Sequence, residues 1–305
     1  MQELVDKAIG GIGEVLLGKE RESRLALCCL ISSGHLLIED LPGMGKTTLA
    51  HALAGVLGLS YARVQFTSDL LPADILGVSV FSRRQEQFEF RPGPVFSQVL
   101  LADEINRATP RTQSALLEAM AEGQVSIDGE TRSLPQPFFV IATQNPVHQS
   151  GTYPLPESQL DRFLMRLSVG YPNPAAEREL LLRGRDQGAA PVVQCINSGQ
   201  LTTLQAASST VNLSESLLSY VQRLVGYTRE AAEFAMGLSP RGALALVAAT
   251  KTWAMMMGRE YAVPDDVQAV LAPVIAHRLV PSADYAGDGE ALVALLLRQV
   301  DVIPG

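Results

Sequence analysis

The sequence predicts an α/β fold built on a mostly parallel sheet, followed by an all-helical region. Three observations carry this. In the first half, short apolar runs with β character alternate with amphipathic helical patterns, and such alternation builds parallel sheets covered on both faces. The first of these runs leads through a glycine-rich turn into a helix, Asp40-Leu41-Pro42-Gly43-Met44-Gly45-Lys46-Thr47-Thr48. Beyond Tyr171-Pro172-Asn173-Pro174 the strand signals give way to Ala- and Leu-rich helical patterns. The expected division is an α/β core over residues 1–172 and a helical lid over 173–305.

His35-Leu36-Leu37-Ile38, bounded by Ser32-Ser33-Gly34 and Pro42-Gly43, reads as a buried strand. Thr47 to Leu57 then places Leu49, Ala50, Leu53, Val56 and Leu57 on one helical face, with Gly58 where a C-terminal cap would stand. Ala62 to Phe66, Val99 to Ala102, Phe138 to Ala142 and Phe163 to Leu167 complete a predicted five-stranded sheet. Two segments break the rhythm. Val78 to Phe90 alternates apolar and polar residues about a charged centre, and Gln124 to Leu134 holds an Asp128-Gly129 pair suited to a tight turn. Both read as inserted β-hairpins, with a pair of surface loops as the alternative. In the second half the clearest helices are Leu213 to Val225, Arg241 to Met257 and Pro264 to His277. Pro264-Asp265-Asp266 makes a good first turn, because acids favour a helix N-terminus. Gly184 to Gln200 is weakly patterned and reads as a connecting loop.

The chain has 305 residues, 47% of them hydrophobic and 18% charged, which excludes disordered and fibrous classes. No apolar stretch is long enough to span a bilayer, and the first six positions carry acidic residues rather than a basic patch, so a cytoplasmic protein is expected. Cys28, Cys29 and Cys195 lack metal-ligand spacing and fit buried thiols in a reducing compartment. A net charge of -8 and a pI near 5.1 disfavour nucleic acid as the main partner, since phosphate-backbone binding needs clustered Lys and Arg.

The glycine-rich turn has the parts of a P-loop. Successive backbone N–H groups form a concavity for phosphates, Lys adds positive charge, and a Ser or Thr hydroxyl reaches Mg²⁺. Pro42, Gly43, Met44, Gly45, Lys46, Thr47 and Thr48 supply these parts, and ATP with Mg²⁺ is the expected ligand. Asp40 departs from the common pattern, where glycine stands; an acid facing phosphate would repel it, so its side chain is expected to point away. Val99-Leu100-Leu101-Ala102-Asp103-Glu104 puts two acids at the carboxyl end of a buried strand, where open α/β sheets bind ligands. Asp103 suits Mg²⁺ held through its water shell, and Glu104 suits a general base acting on water. Asn145 ends a further strand and could orient that water or contact the γ-phosphate; alternatively it forms an Asn turn before Pro146.

The order and spacing of Leu41 to Thr47, Asp103-Glu104-Ile105-Asn106-Arg107, Ala142-Thr143-Gln144-Asn145-Pro146, Pro156 to Phe163 and Leu238-Ser239-Pro240-Arg241 resemble the MoxR family of AAA+ ATPases, from about Val15 to His277. The resemblance implies a P-loop AAA+ core with two hairpin inserts facing a central channel or the substrate side. It also implies that Arg162 is the finger offered to a neighbouring subunit's ATP, and that Arg241 is carried by the lid to its own γ-phosphate. Without the resemblance, Arg162 reads as a surface ion pair and Arg241 as a helix-start arginine. Leu16 and Gly18, within Leu16-Leu17-Gly18-Lys19, resemble the family's adenine-packing segment, although the same letters fit any helix end. The implied activity is ATP hydrolysis in a hexameric ring that remodels, matures or inserts metal into a protein partner, with a von Willebrand factor A domain protein as companion. A magnesium-chelatase-like ATPase subunit and a slow-turnover nucleotide switch are the alternatives.

Overall fold

The computed structural model describes residues 1–145, 151–184 and 192–303. In chain order its first nine strands are β1 (Leu36–Glu39), β2 (Tyr61–Gln65), a hairpin of β3 (Gly77–Ser82) and β4 (Gln87–Pro92), β5 (Val99–Asp103), a second hairpin of β6 (Gln124–Ile127) and β7 (Glu130–Ser133), β8 (Phe139–Gln144) and β9 (Met165–Leu167). The five apolar runs form one sheet in the order β2-β5-β8-β1-β9, and every adjacent pair is parallel. β5 is buried throughout, which is why its sequence reads as a continuous apolar run. β2 lies at the sheet edge and leaves Arg63 and Gln65 exposed, which explains its weaker signal. β9 starts later than the sequence implied, because Phe163 and Leu164 belong to the turn after a short helix, Glu157–Leu160.

The two-residue strand period sends alternate side chains to opposite faces, and each face builds its own core. Leu37, Leu100, Ala102, Val140 and Ala142 pack beneath the Pro110–Glu122 helix with Leu116, Leu117 and Phe163. Leu36, Ile38, Leu101, Phe139 and Ile141 join the Gln2–Gly13, Glu20–Ile31 and Lys46–Val56 helices. This second cluster continues without a break into Leu246, Ala249, Val270, Val274 and Leu296 of the helical region. The lid therefore shares its core with the N-terminal helices. Cys28 and Cys29 lie wholly inside that core, and burial pushes the Cys28 thiol up to about 12.

The three lid helices read from the sequence are Glu215–Glu230, Pro240–Met256 and Pro264–Ile275. A short antiparallel pair, Phe234–Met236 with Val280–Pro281, is the exception to an otherwise helical lid. The stretch read as a connecting loop contains the start of another helix, Ser198–Thr210. Residues 185–191 of that stretch lie outside the described residues. The missed signal was a capping box: Asn197 Oδ1 accepts from the Gln200 N–H at 2.9 Å, and the Asn197 N–H donates to Gln200 Oε1 at 2.9 Å. Both predicted hairpins are present, and Arg132 of the second lies 4.1 Å above the Phe90 ring of the first. No described helix is long and apolar enough to cross a membrane.

Candidate active site

Parallel strands in register bring their carboxyl ends to one edge. The pairs Gln65↔Asp103, Ala102↔Ala142 and Glu39↔Gln144 place Asp40, Asp103, Glu104, Thr143 and Asn145 together there. The loop after β1 turns through Gly43 (φ 85°) and Gly45 (φ 86°), a left-handed conformation that favours glycine. A Cβ at Gly45 would sit 2.9 Å from Leu16 Cδ1, whereas the space beside Gly43 is open. The Lys46–Val56 helix has no side-chain cap, so its first N–H groups and its dipole face the loop's concavity unopposed. The Thr47 hydroxyl makes no hydrogen bond with the described residues.

Asp40 points away from this concavity, as expected. Its Oδ1 accepts from the Leu41 N–H at 2.8 Å, and its Oδ2 accepts from Ser168 Oγ at 3.0 Å and the Gly170 N–H at 2.6 Å. The acid therefore ties the loop to the segment after β9. Lys46, only 8% exposed, donates from Nζ to the Asp40 carbonyl and to Asn145 Oδ1, the latter at 2.7 Å. Burial lowers its pKa, and Asp40, Asp103 and Glu104 oppose that shift.

Asn145 Nδ2 in turn donates to Glu104 Oε1 at 3.0 Å, so one amide bridges the lysine and the predicted base. Glu104 Oε2 accepts from Gln65 Nε2 and Arg107 Nη1, both at 2.9 Å. Its backbone is left-handed (φ 55°, ψ 50°), a conformation costing about 1–2 kcal/mol for a residue other than glycine. The Glu104 N–H is held by Thr143 Oγ1 at 2.9 Å, and the same hydroxyl donates to Asp103 Oδ1 at 2.6 Å. Asp103 Oδ2 accepts from Arg63 Nη2 at 2.6 Å. Arg63, Gln65 and Thr143 had been assigned no role. Arg63 and Gln65 are two positions apart on one strand and so share a face, the pattern that could have revealed them.

Leu16 packs on the loop at Gly45, and Gly18 (φ 70°) passes so close to the Pro174–Arg183 helix that a Cβ would lie 2.7 Å from Ala176 Cβ. The structure thus brings Leu16 to the loop and sets Gly18 against the Pro174–Arg183 helix.

The two arginines lie elsewhere. Arg162 and Arg241 line one cavity of about 280 Å³ together with Ser33, His35, Asp161 and Arg278. Ser33 and His35 precede β1 and Asp161 precedes β9, so this cavity lies at the amino edge of the sheet. His35 and Asp40 stand five residues apart in sequence, one before and one after β1, and a strand rises about 3.3 Å per residue, so roughly 16 Å separates the two edges. The expectation that the lid carries Arg241 to its own γ-phosphate is therefore corrected: Arg241 lies with Arg162, across the sheet from its own P-loop.

A family model described as "ATPase family associated with various cellular activities (AAA)" matches residues 35–165, and an AAA lid domain matches 226–294. Chaperone MoxR1 of Mycobacterium tuberculosis is 39% identical over 98% of this chain and 84% of its own length. Protein MoxR of Paracoccus denitrificans is 35% identical over 95% of this chain and 92% of its own. The chain belongs to the MoxR family of AAA+ ATPases. A crystal structure of an ATPase from Cytophaga hutchinsonii superposes with a TM-score of 0.91 at 34% identity, covering 98% of this chain and 95% of that one. This MoxR-family ATPase binds ATP, and the open space at Gly43, the uncapped helix and buried Lys46 fit its phosphates. The Thr47 hydroxyl, without a hydrogen bond to the described residues, and the Asp103 carboxylate are oxygen donors of the kind Mg²⁺ takes.

Proposed function

We propose that this MoxR-family ATPase is one subunit of a ring, most simply a hexamer, that spends ATP hydrolysis on remodelling a protein partner. The observation that carries the reading is the separation of Arg162 and Arg241 from their own P-loop by the length of the sheet. A transferring phosphoryl group needs added positive charge, and guanidinium groups supply it in planar, directional form. On this reading Arg162 and Arg241 both serve the nucleotide of the adjacent subunit. A head-to-tail interface of this kind closes into a ring when its rotation permits.

Within the subunit, Thr47 and Asp103 would hold Mg²⁺, whose charge would offset that of the ATP phosphates. Glu104 takes the proton of the attacking water, and Asn145 fixes Glu104 relative to Lys46 through the bonds already described. Leu16 and Gly18 border the adenine. The name of the mycobacterial relative supports a chaperone-like role, and resemblance supports a companion with a von Willebrand factor A domain. The exposed Phe81 and Phe88 rings, paired across the first hairpin, suit the substrate side of the ring.

Mixing inactive subunits tests the reading. Arg162→Ala alone and Glu104→Gln alone are expected to lose turnover. Mixed in equal amounts they should recover phosphate release, since the second supplies the arginine and the first the base. Full activity of Arg162→Ala, or of a strictly monomeric wild-type sample, would sink the shared-site reading.

A further inference from the structure

We propose that Arg278 and Asp161 are positioning residues that set Arg162 and Arg241 as a single unit. The inference rests on the reading of those arginines as the neighbour's catalytic cations.

Arg278 follows the Pro264–Ile275 helix, and its side chain is 4% exposed. A guanidinium has five N–H donors, and here all five are used. Nε donates to Asp161 Oδ1 at 2.7 Å. Nη2 donates to the carbonyls of Asp161 at 3.2 Å and Phe163 at 2.6 Å. Nη1 donates to Leu164 O at 3.1 Å and to Val274 O. Four of the five donors therefore grip residues 161, 163 and 164, the backbone on either side of Arg162. A flexible surface arginine would need none of this. His277 adds a further hold on the same turn through Nε2, 3.1 Å from Phe163 O.

The same group reaches Arg241. The second Asp161 oxygen accepts from Ser239 Oγ at 3.2 Å, and Ser239 is the N-cap of the Pro240–Met256 helix, its Oγ accepting from the Gly242 N–H at 3.0 Å. A Cβ on Gly242 would lie 3.0 Å from Arg278 Cδ, so the arginine stem packs directly beside the residue after Arg241. One carboxylate thus joins the turn that presents Arg162 to the cap that presents Arg241.

The charges divide accordingly. Asp161 offsets Arg278. Arg162 binds only the Leu117 carbonyl, at 2.9 Å, and Arg241 makes no hydrogen bond or ion pair with the described residues. Two cations without a counter-charge face one cavity, held at a fixed spacing by a third that is fully bonded. Two like charges held together in this way form a site prepared for a polyanion, and a misplacement of about 1 Å costs on the order of a hundredfold in rate.

The test uses the full-length chain with Mg-ATP. Arg278→Lys keeps the charge but offers three donors on a flexible stem in place of five in a rigid fork. Its kcat is expected to fall about tenfold or more, while the affinity of its own P-loop for a fluorescent ATP analogue changes by less than about twofold. Because the lost function belongs to the neighbour's site, mixing Arg278→Lys with Glu104→Gln subunits should restore turnover. Ser239→Asp is the second variant: it keeps a good N-cap but sets a carboxylate against Asp161, and it should lower kcat with the same unchanged affinity. An Arg278→Lys variant with wild-type kcat, or one that Glu104→Gln does not rescue although it rescues Arg162→Ala, overturns the inference alone. If Arg278→Lys does not fold, wild-type kcat in Ser239→Asp overturns it. Failure of Arg162→Ala to be rescued removes the shared-site reading itself.

Discussion

The carboxyl and amino edges of the same five-stranded sheet hold their charges differently. At the carboxyl edge the charged groups around the P-loop are partnered among the described residues: Lys46 with Asn145, Asn145 with Glu104, Glu104 with Arg107, and Asp103 with Arg63. Among the described residues lining the amino-edge cavity, Arg278 and Asp161 close on each other, and Arg162 and Arg241 have no acid partner. One edge carries acids and a buried lysine organised to receive Mg-ATP; the other carries cations in surplus. On the proposed reading, the chemistry is divided between two surfaces that do not meet within one chain.

The largest expected effect falls on the first edge. Glu104→Gln removes the proposed base and should lower turnover by about 10²–10⁴, with ATP still bound, as phosphate release and nucleotide binding will report. Loss of ATP binding in this variant would mean that the network, rather than the base, is what Glu104 provides.

A smaller effect sharpens the amino edge. His35 is half-buried there, its Nδ1 accepting from the Val140 N–H at 3.0 Å and its Nε2 lying 3.2 Å from the Met120 carbonyl. Burial pulls its pKa down from 6.5 to about 4, against a raising contribution from the Met120 bond. Between these values the unfolded chain binds a proton that the folded chain does not. The contribution to stability is therefore complete above pH 6.5 and declines as pH falls toward about 4, by up to about 3 kcal/mol. Urea midpoints at about pH 7 and about pH 4.5 should differ less in His35→Gln than in the wild type. An equal pH dependence in the two would place the acid sensitivity elsewhere.

The smallest effect concerns the link between the P-loop and the segment after β9. Asp40→Ala deletes the acceptor of the Ser168 and Gly170 bonds and should cost about 1–3 kcal/mol in chemical denaturation, leaving ATP affinity nearly unchanged. A marked gain in ATP affinity would show that the carboxylate does act on the phosphates.

Much of this arrangement was legible before any coordinates. β5 and β8 announce themselves because burial on both faces demands unbroken apolar runs, and the P-loop does because few other needs put Gly43, Gly45 and Lys46 at that spacing after a strand. Asp128-Gly129 marked the second hairpin because its turn requires left-handed angles, found at both residues. What stayed hidden depends on tertiary register. Arg63 and Gln65 matter only because β2 lies beside β5, and Arg278 matters only because the chain returns, more than a hundred residues later, to Asp161. The placement of Arg241 was misread for the same reason: a motif names a residue but does not say on which side of the sheet the lid will pack.

The strands of the sheet all run one way, and this gives each subunit a head and a tail. Two copies related by a two-fold axis through the amino edge would bring Arg162 and Arg241 of each toward those of the other. Two-fold pairing through that edge is thus electrostatically penalised. If copies assemble head to tail as proposed, they follow one another in a single sense, and an event at one nucleotide has an unambiguous next neighbour.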